Sequence, residues 1–178
     1  MVIIDAKHKL IFIENPKCAS STILAALTEV LGTNYIRKHV LPHAAHITSR
    51  QAQEKFGPEI WAEYLKVTTS RDPFSRFRSA ITSTHHWRYG NFRSNEGIID
   101  HLKNNVGCPY CIPQEEFTDG MDVILRVDTL QQDFDALCVR LGVPSTTLLV
   151  KNISSKTTSQ AETERIERLY EVRGFTAL

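Results

Sequence analysis

The stretch Lys9–Leu31, KLIFIENPKCASSTILAALTEVL, constrains the fold more than any other part of the chain. Leu10 to Ile13 is a short, unbroken apolar run, as expected of a strand buried on both faces. Asn15-Pro16 interrupts it. One lysine, Lys17, and a run of small side chains follow, and then a helical pattern from about Ser21 to Leu31. Ile23, Leu24, Leu27, Val30 and Leu31 fall on one helical face, and Gly32 is a natural stop. A strand, a short loop and a helix in this order make half of a strand–helix–strand unit. The junction suits an anion, because the first N–H groups of a helix lack internal partners and its dipole favours negative charge. Ala19, Ser20 and Ser21 let a phosphate approach the backbone, and the two serines add hydroxyls. Lys17 adds a mobile cation. The plain alternative is an ordinary strand–turn–helix with a lysine facing solvent. The Walker A pattern is absent, since here the lysine precedes the small residues.

Further along, Thr48 to Phe56 and Glu59 to Tyr64 read as helix, separated by Gly57-Pro58. Leu65 to Ser70 reads as a strand. Asp72 caps a new helix, with Pro73 in its first turn and Phe74, Phe77 and Ile81 on its buried face. Residues 84 to 120 read as irregular, being rich in His, Asn, Gly and Pro. Met121 to Val127 reads as a third strand and Asp128 to Leu141 as a third helix, ended by Gly142. Ser159 and Glu162 have the spacing of a capping box for a last helix. Strands alternating with helices predict an α/β fold with a mainly parallel sheet. A length of 178 residues suits a single domain spanning 1–178, with the irregular stretch as an insertion on its acceptor side.

Lys plus Arg number 21 and Asp plus Glu 20, so the net charge of +1 gives no reason to expect nucleic-acid binding. No apolar run approaches the ~18 residues of a membrane span, and the N-terminus lacks the pattern of a signal peptide. The expectation is a cytoplasmic protein with reduced thiols, because four cysteines in a chain of this size do not suggest a disulfide scaffold.

The second chemical signal is TTSRDPFSRFRSAI, Thr68 to Ile81. Arg71 stands at a strand end. Ser75 and Ser79 share a helical face away from Phe74, Phe77 and Ile81. An arginine fork and a serine hydroxyl are good chemistry for a second phosphate. The alternative is that Arg71 and Arg76 pair with carboxylates around the sheet.

PKCASST after the first strand and RDPFSRFRS after a later one resemble the two nucleotide-binding motifs of the sulfotransferase family, in the form of its carbohydrate (Golgi-type and bacterial) branch. The resemblance covers most of the chain. HITSRQAQEKFGPEIWAEYLKVTTSRDPFSRFRSAI is similar to the family's block from an acceptor-side histidine to the second motif, ILRVDTLQQDFDALCVRLGV to its later strand–acid–helix segment, and VKNISSKT to the loop that closes over the nucleotide. It implies a three-layer α/β/α core like that of nucleotide kinases. It also implies transfer of a sulfuryl group from 3′-phosphoadenosine 5′-phosphosulfate (PAPS) to an acceptor hydroxyl, in this branch on a carbohydrate, with no metal required. Lys17 would bind the bridging oxygen. Residues Cys18, Ala19, Ser20, Ser21 and Thr22 form the loop that would wrap the 5′-phosphate. Arg71 and Ser79 would take the 3′-phosphate, with Ser155, Lys156 and Thr157 adding contacts. His46 would be the base, with His43 in reserve and Glu14 a carboxylate alternative. His85, His86 and Trp87 would line the acceptor pocket.

Two departures stand out. The family usually has glycine where Ala19 stands, and many relatives carry histidine at the position of Cys111. The acceptor-side region is small, which suits a short or exposed acceptor. Two other readings remain: a nucleotide-binding module without turnover, and a thiol–disulfide protein using Cys108-Pro-Tyr-Cys111. The latter lacks a strand before its first cysteine and a helix after it, as thioredoxin-like chemistry requires. A zinc site would need ligands beyond these two cysteines, such as His85.

Overall fold

Buried at all four positions, Leu10–Ile13 forms the middle strand of the sheet. The computed structural model describes residues 2–32, 36–39, 46–82, 112–149 and 159–172. The elements are β1 (Val2–Asp5), β2 (Leu10–Ile13), α1 (Ser20–Leu31), β3 (Ile36–His39), α2 (Ser49–Glu63), β4 (Leu65–Ser70), α3 (Pro73–Thr82), α4 (Glu115–Thr118), β5 (Val123–Arg126), α5 (Leu130–Leu141) and α6 (Gln160–Val172). The strand order is β3-β1-β2-β4-β5. β2 and β4 pair in parallel, as do β4 and β5. β1 pairs antiparallel with β2 on one side and β3 on the other. The fold is therefore α/β on an open sheet. Its parallel part, β2-β4-β5, is the part that alternating strands and helices predict.

β1 and β3 lie outside the sequence expectation. The β1–β2 hairpin turns because the buried Asp5 carboxylate accepts from the Lys7 N–H at 2.9 Å and sits 2.5 Å from Nδ1 of His8. Three expected boundaries also shift. β5 is shorter than Met121–Val127, because Asp122 accepts the Lys66 N–H with its side chain (2.8 Å) just ahead of the strand pairing. A 3-10 turn, Val127–Thr129, precedes α5. The described end of the stretch expected to be irregular contains α4: Phe117 is fully buried, and Glu115 and Glu116 suit a helix start.

Other local rules hold. Thr48 and Gln51 form a reciprocal capping box at the start of α2. Gly57, at φ 82°, breaks that helix where Gly57-Pro58 predicts a break. Gly142 ends α5 in the left-handed region, its N–H donating to Cys138 and Val139.

The chain divides into two compact units. Met1–Arg71 with Pro113–Lys151 holds the whole sheet. Its core packs Ile3, Leu10, Phe12 and Val67 against Ile23 and Leu27 of α1 and Phe134 and Leu137 of α5. Ile11 and Ile13, pointing to the opposite face, are equally buried, so the middle strand is covered on both sides. The second unit, Asp72–Ile112 with Asn152–Leu178, contains α3 and α6. Phe74, Phe77 and Ile81 pack on Ile166, Leu169 and Tyr170. Asp72 accepts the Ser75 N–H at 2.8 Å, as a cap should, and Ser159 accepts the Glu162 N–H at the head of α6. Among the described residues, no helix is long and apolar enough to cross a membrane.

Candidate functional site

Because β2 and β4 are parallel neighbours, their carboxyl ends finish side by side. This is where open α/β sheets bind ligands. Residues 14–19 lead from β2 into α1, and Arg71 follows β4 directly. The two segments are tied together below the surface. Fully buried Asn15 donates from Nδ2 to Thr69 O at 2.9 Å. The Ser20 hydroxyl donates to Asn15 O at 2.7 Å and lies 3.0 Å from the Thr69 hydroxyl.

The loop is tightly wound. Lys17 and Ala19 both adopt left-handed backbone conformations, with φ 66° and 58°. For residues with a Cβ this costs roughly 1–2 kcal/mol each. Strain of this kind gathers where a fold presents its backbone to a ligand. Ala19 is also the N-cap of α1 and supplies no side-chain cap. Ala19→Gly is expected to leave stability unchanged or to raise it by up to about 1 kcal/mol, since glycine's gain in left-handed ease exceeds its entropic cost. Urea midpoints check this, and a loss of stability would contradict the left-handed assignment.

Two cations meet at this point. Arg71 donates from Nη1 to Lys17 O at 3.3 Å, which anchors its guanidinium on the loop. Partial burial holds the Lys17 ammonium below the usual lysine range, and the Arg71 charge lowers it further. Both residues are half-buried.

His46 reaches the same loop. Its Nδ1 lies 3.2 Å from Glu14 O. A carbonyl only accepts, so Nδ1 is the donor in this contact. Glu14 meets His46 through its main chain, and its side chain is buried. Near these residues in sequence lies an open, polar cleft of about 610 Å³, lined by Ser49, Arg50, Glu115, Glu116, Thr118, Asp119 and Gly120.

The structure thus brings together Lys17, Ala19, Ser20, Ser21, Arg71 and His46. Several expected roles change in detail. Cys18 is buried, its Sγ 3.5 Å from Pro16 O and 3.2 Å from Gln114 Oε1, and Thr22 is buried as well. The Ser20 hydroxyl, engaged with Asn15, ties the loop down, which leaves Ser21 as the exposed hydroxyl. Arg76 meets a backbone carbonyl, donating to Ile112 O at 2.9 Å. Ser79 lies on α3 in the second unit. His43, His85, His86, Trp87, Cys108, Cys111, Ser155, Lys156 and Thr157 lie outside the described residues. Sequence reasoning gave no role to Asn15 or Gln114. Asn15 sits inside the quoted junction and could have been noticed there; Gln114 carries no motif signal.

Comparison of the chain with protein-family models, with curated proteins and with solved structures returns no match.

Proposed function

We propose that this chain is a sulfotransferase that uses PAPS and acts on an acceptor hydroxyl, in the carbohydrate class. The carrying observation is the pair Lys17 and Arg71: two like charges, half-buried and held against each other at the ends of adjacent parallel strands. Burial and the Arg71 guanidinium both disfavour the charged form of Lys17, and an anion bound beside the pair would favour it. A left-handed loop and a helix N-terminus supply main-chain donors to the same place. The motif resemblance then selects an adenosine carrying phosphates at both ends. The finer fold, a three-layer core like that of nucleotide kinases, belongs to this proposal, as do the roles of Ser79 and of Ser155, Lys156 and Thr157.

The residues divide the chemistry simply. His46 Nε2 takes the proton from the acceptor hydroxyl as its oxygen attacks sulfur, a contribution of ~10²–10⁴-fold for a well-placed base. The sulfur–oxygen bond to the 5′-phosphate breaks with its electron pair on the departing oxygen. Lys17 neutralises that charge, assisted by the α1 dipole. The products are a sulfate ester, 3′,5′-ADP and the proton on His46, which passes to solvent. The polar cleft beside Ser49 and Glu115 offers hydrogen-bonding groups suited to a hydroxyl-rich acceptor.

A thermal-shift titration tests the reading. At a hundredfold excess over Kd, 3′,5′-ADP is expected to raise Tm by about 5–10 °C, and adenosine to leave it unchanged. No shift, or equal shifts from both compounds, would remove the proposal. A labelled-sulfate screen of sugar acceptors then tests turnover.

A further inference from the structure

Four hydrogen bonds converge on one side chain that has no role in the chemistry above. Gln114 Nε2 donates to Arg71 O at 2.8 Å, and Gln114 Oε1 accepts the Arg71 N–H at 3.1 Å. The same Oε1 lies 3.2 Å from Cys18 Sγ and 3.5 Å from Asn15 Nδ2. One amide thus engages both main-chain groups of Arg71, as a neighbouring strand would, and also reaches the β2–α1 loop. All of these residues belong to the unit that holds the sheet.

The arrangement has a physical purpose. Lys17 and Arg71 carry like charges, and the backbone beneath them sets how far apart they sit. Asn15 fastens the loop to Thr69, and Gln114 fastens Arg71 to that same loop. Only an amide does both jobs, because a carboxylate cannot donate to Arg71 O and a hydroxyl group is too short to span the two groups. We propose that Gln114 is the positioning residue of the anion site: it sets the separation of the Lys17 and Arg71 charges and thereby selects ligands with two anionic ends over ligands with one. The inference rests on the nucleotide reading above and deepens it.

The test uses Gln114→Met, which keeps the volume and removes every hydrogen bond, in the full chain. Calorimetry gives Kd for 3′,5′-ADP and for 5′-AMP. Wild type is expected to prefer 3′,5′-ADP. In Gln114→Met that ligand should weaken about tenfold while 5′-AMP changes less than about twofold, which is the size of one lost positioning contact. A merely structural role would weaken both ligands together or neither, and either result overturns the assignment. If Gln114→Met does not fold, the same ratio is read on Gln114→Glu, which keeps the shape and the acceptor oxygens; an unchanged ratio there overturns the assignment as well. If wild type binds neither nucleotide, the nucleotide reading falls by itself. Gln114 is then judged by the same comparison between inorganic pyrophosphate and inorganic phosphate. Should wild type bind none of the four, the anion site and its positioning residue fall together.

Discussion

Lys17→Ala is expected to lower the rate of sulfuryl transfer by about 10²–10³-fold, the usual loss when one donor to a developing charge is removed from a preorganised site. Folding should survive. Lys17 is held beside Arg71, and burial together with that neighbour already disfavours its charged form, so losing the ammonium removes a repulsion. Alanine also accepts the same left-handed backbone about as well as lysine does. The variant should therefore keep its fold while losing turnover to that extent. A second observable separates charge from shape. Burial and the Arg71 charge hold the pKa of Lys17 below that of an ordinary lysine, and an anion favours the protonated form. Binding of 3′,5′-ADP at alkaline pH must then take up a proton, and affinity must fall as pH rises through the depressed pKa. Calorimetry in buffers of different ionisation enthalpy measures that uptake, which should vanish in Lys17→Ala. Near-normal turnover in the variant, or unchanged proton uptake, would take Lys17 out of the mechanism.

Phe12→Ala is expected to destabilise the fold by about 3–5 kcal/mol, a large part of what a domain of this kind possesses. Phe12 is fully buried in the middle strand, in register with Ile3 on one side and Val67 on the other. It belongs to the core that joins α1 and α5 to the sheet. Truncation leaves a cavity in a wall built by several elements, which cannot all move inward at once. Urea midpoints, read with an unchanged m-value, give the number. A loss under about 1.5 kcal/mol would mean that this core collapses around the gap or packs differently.

Much of the architecture was legible where local chemistry and burial agree. Leu65–Ser70 forms a strand over the expected residues, Asp72 caps its helix, and Gly142 terminates α5. β1 and β3 were not legible. Val2–Asp5 is only four residues long and is separated from β2 by a turn whose signal is a buried aspartate. The sequence Ile-Arg-Lys-His of β3 has no apolar run, because an edge strand with one partner needs none. α4 spans four residues, too few for any period to show. The site followed the same division. The residue types at Lys17 and Arg71 suggest an anion, but their meeting depends on β2 lying next to β4, and strand order is a long-range property. The hydroxyl of Ser20 was expected to face a ligand. It turns inward because Asn15 O and Thr69 stand within its reach and the residue is buried.

Ala19 begins α1 without offering that helix a side-chain acceptor. An incoming phosphate oxygen would fill the vacant place and act as the terminal residue the chain omits, a substitution worth about 1 kcal/mol when a serine or aspartate does it. Occupancy and the firmness of the first helical turn are then one equilibrium, and the amides of Ser20 to Ile23 should exchange with solvent more slowly as the site fills.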